Sequence, residues 1–245
     1  MRRAAAAALV CLAFGVPALA DLPGGIRTET FGGVEIRYVL APPGSAEARV
    51  LTARDLGAAG FEGLFLSDFA KMSGADAVLS GGYLQSFQPV VPLGLTRTQG
   101  RDRGPLHDSW LTDSLFCADG GGWRIGPAVA GAELSGDCLQ AGPALVEEGA
   151  DAYAGDPALP EAEAALLLSE QASPFLCIRG DGALAMGLSL TGTVRELSAV
   201  LAGAFGCREA MRLSGSVTAG LWESGAGIEG FNELRLANVV ALYGR

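Results

Sequence analysis

Two short runs constrain this chain more than any other feature: Asp119-Gly120-Gly121-Gly122 and Gly180-Asp181-Gly182. Each lies between apolar segments, Ser114–Ala118 and Trp123–Ile125 in the first case, Phe175–Arg179 and Ala183–Met186 in the second. Asp-Gly between apolar runs is a strong hairpin signal, because both central residues of the tight turn need a positive φ. Further strands are read from alternation over Val34–Leu40, from the runs Ala48–Arg54, Ala77–Leu79 and Pro92–Thr98, and from Leu234–Leu242 near the end. Asp137–Val146 reads as one more strand, broken at Gly142-Pro143, and residues 21–33 as an irregular arm. Helical spacing is confined to Glu62–Ser73, a short piece within the acidic stretch 147–165, and Thr193–Phe205. The last opens on Thr193-Val-Arg-Glu196, a capping box, and its expected end is Gly206. Strands that outnumber helices without regular alternation predict an α+β fold: a single domain with a mixed, mostly antiparallel twisted sheet packed with two or three helices.

The first twenty residues have a different character. Met1-Arg2-Arg3 is basic, Ala4–Val16 is apolar, and Ala18-Leu19-Ala20 ends in small residues, the pattern of a cleaved secretory signal. The expected organisation is a signal peptide over 1–20 and one domain over 21–245, exported to the periplasm or beyond. No later run reaches the length of a membrane span. Without Arg2 and Arg3 the formal charge moves from −10 to −12, and an acidic chain repels phosphate backbones, so nucleic acid is not an expected partner. Four cysteines remain after the signal, Cys117, Cys138, Cys177 and Cys207, which an oxidising compartment would join as two disulfides in one of three pairings. Cys117–Cys138 and Cys177–Cys207 are expected, since each pair lies on segments that should be neighbours. No Cys-x-x-Cys spacing supports zinc.

Little of the usual catalytic equipment is present. His107 is the only histidine and sits in a polar loop, so no histidine-based triad or metal site is built around it. Glu147, Glu148 and Asp151 lack the spacing of a calcium loop. Neither a metal nor a cofactor is expected. The stretches that stand out are Ala77–Leu84, a buried strand halted by Gly81-Gly82, and Ala210–Thr218, a strand running into a small polar turn. Side by side, their ends would make a pocket floored by backbone amides and hydroxyls.

The order of motifs resembles the phosphodiester glycosidase domain family, which includes the lysosomal uncovering enzyme and bacterial exopolysaccharide-associated proteins. The motifs are Ser80-Gly81-Gly82-Tyr83-Leu84, Pro92-Leu93-Gly94, Leu139–Val146 with Gln140, Gly142 and Pro143, the Asp181-Gly182 hairpin, the helix at 193–205, Ala210–Gly215 and Ala237-Asn238-Val239-Val240. The resemblance spans roughly 34–243 and implies hydrolysis of a sugar-1-phosphate diester in envelope or exopolysaccharide glycans. It implies a glycan or sugar-phosphate ligand bound by Ser80, Gly81, Gly82, Tyr83, Gln140 and Asn238, with Arg212 and Ser214 at the catalytic positions. Three departures stand against it. The family's first Asn is Ser80, its hairpin Arg falls on Ser173, and its late Asp falls on Ser214. Cleavage at an anomeric carbon calls for a carboxylate and a cation. Arg212 or Arg179 could supply the cation from a shifted position, and Asp181 and Glu223 are the carboxylates nearby in sequence. A family member that lost its chemistry and binds a glycan or envelope partner is the alternative, and an unrelated exported domain is a third. The sugar, the acceptor and the oligomeric state stay open.

Overall fold

The computed structural model describes residues 25–58, 62–120, 122–131, 134–155 and 159–245. The signal peptide expected over 1–20 lies outside them. Both Asp-Gly hairpins form, Ser114–Asp119 with Gly122–Pro127 and Ser173–Arg179 with Leu184–Ser189. Rather than one sheet, the strands build three larger ones and a two-stranded ribbon, and every strand pairing is antiparallel.

The seven-stranded sheet runs, in spatial order, Arg27–Phe31, Val34–Ala41, Leu184–Ser189, Ser173–Arg179, Cys207–Arg212, Ala144–Glu147 and Ala150–Asp151. One five-stranded sheet is ordered Gly122–Pro127, Ser114–Asp119, Asp137–Ala141, Thr96–Thr98, Arg101–Asp102. The other is Gly227–Gly230, Gly220–Glu223, Ala77–Ser80, Asn238–Gly244, Ala46–Thr52. Leu84–Phe87 and Val90–Pro92 form the ribbon.

Side chains alternate across a strand, and the core follows that period. Leu176 and Ile178 of one strand, Met186, Leu79, Phe116, Leu139 and Val240 from all three sheets meet in a single central cluster. Phe175 and Cys177 point the other way, under helix Val194–Ala202, where Leu197, Leu201, Ile36 and Phe205 join them. Val78 and Val239 similarly face Leu66 and Phe69 of helix Leu66–Ser73. The helices thus cover the outer faces of two sheets whose inner faces share one core.

Several elements differ from the sequence reading. The supposed arm contains Arg27–Phe31, an edge strand paired with Val34–Ala41. Four of its five residues are exposed, so it carries no apolar alternation to read. Helix Val194–Ala202 keeps its capping box, with Glu196 N donating to Thr193 Oγ1 at 3.1 Å and Thr193 N to Glu196 Oε2 at 2.8 Å, but stops at Gly203 instead of Gly206. Phe205 has left the helix and stacks edge-on against Tyr38, ring centres 4.8 Å apart. The cis Gly142–Pro143 bond does more than break a strand: Asp137–Ala141 belongs to one sheet and Ala144–Glu147 to another.

The disulfides are Cys117–Cys138, joining directly paired residues of adjacent strands, and Cys177–Cys207. Both fit a chain that matures in an oxidising compartment. Among the described residues no helix is long and apolar enough to cross a membrane.

Candidate active site

Strand pairing carries the two singled-out stretches into direct contact. Ser214 N donates to Gly81 O at 3.0 Å, and Gly220 N to Ser80 Oγ at 3.1 Å. The turn at Gly81-Gly82, however, is packed by the protein itself. Neither glycine has a positive φ. A Cβ at Gly81 would come within 2.1 Å of Asn238 Oδ1, and one at Gly82 within 3.0 Å of Gln140 O. Glycine is required here for the approach of neighbouring chain, and the expected floor of amides open to a ligand is not formed.

The polar side chains expected to bind substrate are largely committed inside the fold. Gln140 is wholly buried and its amide is saturated. Nε2 donates to His107 O and Thr112 O, both at 2.7 Å, and Oε1 accepts from Leu95 N and His107 N, both at 2.9 Å. Asn238 accepts from Gly82 N and donates to Thr96 Oγ1, each at 2.8 Å. Ser80 is buried with its hydroxyl on Gly220 N. Thr218 Oγ1 donates to Gly215 O at 2.8 Å, so the Ser214 hydroxyl, 2.8 Å from that oxygen, is the donor to Thr218. These groups hold the two stretches together rather than present themselves.

Arg212 and Tyr83 are arranged differently. Only 1% of Arg212 is exposed. Its Nε donates to Ser173 Oγ at 3.2 Å and its Nη1 to the Tyr83 hydroxyl, and the guanidinium lies 6.0 Å from the centre of the Tyr83 ring. Tyr83 in turn donates to Gly142 O at 2.9 Å. Among the described residues no carboxylate stands within 4 Å of Arg212 as an ion-pair partner. A buried cation balanced only by neutral oxygens is an unfavourable arrangement on its own and a favourable one around an anion.

The sequence-nearby carboxylates are elsewhere. Asp181 is exposed at a hairpin tip and Glu223 accepts from Gly225 N and Ala226 N, both at 2.9 Å, capping a turn at the far end of its strand from Gly220. Arg179 lies six residues along its strand from Ser173, roughly 20 Å away at ~3.3 Å per residue, beside Phe205. The acid that does reach the site is Asp113, which the sequence reading missed. Its Oδ1 accepts from Ala144 N at 2.9 Å and from Ser114 Oγ at 2.8 Å, and it crowds Gly142, where a Cβ would lie 2.6 Å from that oxygen. Burial pushes its carboxyl up to about 6, opposed by the bonds from Ser114 and Ala144 and reinforced by Glu147. Burial also raises the Tyr83 and Tyr153 hydroxyls, and the charge of Asp113 adds to both. Ser114 and Ala144 further line a cavity of about 420 Å³ whose other walls include Glu147, Glu148 and Glu209.

Solved structures share this architecture. The catalytic domain of zebrafish N-acetylglucosamine-1-phosphodiester alpha-N-acetylglucosaminidase, auto-inhibited by its pro-peptide, superposes with a TM-score of 0.65 at 14% identity, over 90% of this chain and 81% of that one. The chain has that domain's fold. A hypothetical protein from Synechocystis gives 0.64 at 14% identity over 90% of this chain, which spans 61% of that protein's length. A Burkholderia pseudomallei K96243 protein, described as exported, gives 0.59 at 12% identity over 86% of this chain and 74% of its own. No protein-family model matches the sequence, and no curated protein matches it significantly. At these identities the likeness is one of fold.

Proposed function

We propose that the protein is an exported phosphodiester glycosidase-like hydrolase that cleaves a sugar-1-phosphate diester in envelope or exopolysaccharide glycans, with Arg212 binding the phosphate. The observation that carries this reading is the buried guanidinium of Arg212, held by the Ser173 and Tyr83 hydroxyls without a carboxylate partner among the described residues. In the family that the motif order resembles, the arginine falls on position 173; here Arg212, on the adjacent strand, donates to the serine at that position, which supports reading it as the substitute cation. The cation is relocated rather than lost. As the bond from the anomeric carbon to the phosphate oxygen breaks, negative charge collects on the phosphate, and a preorganised guanidinium out of water stabilises it most there. The zebrafish domain with this fold is named for such a reaction, which supports the choice of substrate class.

The test is release of free sugar from a synthetic N-acetylglucosamine-1-phosphodiester of a simple alcohol by the purified chain, and its loss in Arg212→Met. A second reading, a binding protein without turnover, draws support from Ser214, whose hydroxyl is spent on Thr218 where the family carries its late acid. Calorimetric binding of the same diester with no sugar released would favour it.

A further inference from the structure

We infer that Asp113 is the general base of this site, taking the proton from the water that attacks the anomeric carbon; the inference rests on the hydrolase reading above. Three consecutive residues at the crossing between sheets organise the polar groups. Gly142 O accepts from Tyr83, Arg212 N donates to Pro143 O at 3.0 Å, and Ala144 N donates to Asp113. The phosphate-binding cation, the tyrosine hydroxyl and the carboxylate are thereby fixed to one rigid stretch, although they come from three distant parts of the chain. Both donors to Asp113 fall on Oδ1 and both are uncharged, which leaves Oδ2 to take a proton. Asp113 is half-buried, so water reaches it, and among the described residues no arginine or lysine pairs with it.

The step balances without a further reactant. The water oxygen forms a bond to the anomeric carbon, the bond to the phosphate oxygen breaks with its electron pair, and the phosphomonoester leaves against Arg212. The water proton passes to Asp113 Oδ2 and then to solvent. The titratable groups whose charge acts on Asp113 or feels it are Glu147, Tyr83 and Tyr153, besides its donors Ser114 and Ala144. The upward displacement of its carboxyl suits a base working near neutral pH.

The experiment follows sugar release from the same synthetic diester across pH 4–9. Asp113→Asn keeps an oxygen for Ala144 N and Ser114 Oγ, so it should fold, with a melting temperature at or above that of the wild type. We expect kcat to fall by ~10²–10⁴-fold with KM little changed, and the acid limb of the wild-type profile, near pH 6, to vanish. Asp113→Ala should regain activity with added formate, which a purely structural carboxylate would not allow, and Glu147→Gln should keep the limb. Should Asp113→Asn fail to fold, a wild-type profile without an acid limb near pH 6 overturns the inference. Wild-type turnover with Asp113→Asn equally active, while Arg212→Met is slowed by about 10²–10³-fold, overturns this inference alone. No sugar release by the wild type overturns it together with the hydrolase reading.

Discussion

Arg212 Nε donates to Ser173 Oγ at 3.2 Å across two neighbouring strands of the seven-stranded sheet. The register pairs Arg212 with Phe175, so Ser173 stands two residues further along on the same face.

Replacing Arg212 separates stability from function. Met fills a similar volume without an unpaired charge to desolvate, a relief set against the loss of the donor to the Ser173 and Tyr83 hydroxyls. Arg212→Met should melt at or above the wild-type temperature while losing phosphate affinity, as differential scanning calorimetry and titration with the diester would register.

Moving the arginine back tests its relocation. Ser173→Arg alone puts two guanidiniums into one buried space and should destabilise the fold by roughly 3 kcal/mol or more. Ser173→Arg with Arg212→Ser should recover most of that loss in urea unfolding and retain diester binding.

Gln140 should behave as a brace. Gln140→Leu leaves Leu95 N, His107 N and Thr112 O unpaired in a closed interior, while His107 O keeps the Thr112 hydroxyl, at about 1–3 kcal/mol for each group not rescued by water. Unfolding free energy should drop by about 3 kcal/mol or more. Where enough folded protein survives, KM for the diester should stay near the wild-type value.

The parts of this architecture that were legible in the sequence are those written locally. An Asp-Gly turn and a Thr-x-x-Glu cap each act over four residues, and the two stretches near 80 and 214 announced themselves as strand ends. Arg27–Phe31 was hidden because an exposed edge strand has no buried face to impose a period. The commitment of Gln140 and Asn238 inside the fold left no trace in the sequence, since the partners of their amides lie tens of residues away or more. Asp113 carried almost no signal: it follows a short turn and acquires meaning only from Ala144, which a change of sheet brings back beside it. A carboxylate just before an apolar strand, followed some thirty residues later by Gly-Pro, is the only trace it left.

The displaced carboxyl of Asp113 also predicts a pH effect on stability. Its folded value, about 6, lies above the 3.8 of an unperturbed aspartate, so the folded state holds this proton more tightly. By linkage its contribution is full below about pH 4 and is lost as pH rises through about 6. Asp113→Asn should therefore gain in melting temperature relative to the wild type between pH 4 and 8, the difference read from paired thermal scans.

The central claim is that the cation buried at Arg212 serves an anionic glycosyl ester. Its most direct measurement is the rate of sugar release from the N-acetylglucosamine-1-phosphodiester by wild type and Arg212→Met, side by side and with both variants shown to be folded. We predict release by the wild type and a loss of about 10²–10³-fold in Arg212→Met, the range for removing one preorganised donor from a developing charge. Equal rates in the two proteins, or no release by either, would contradict it.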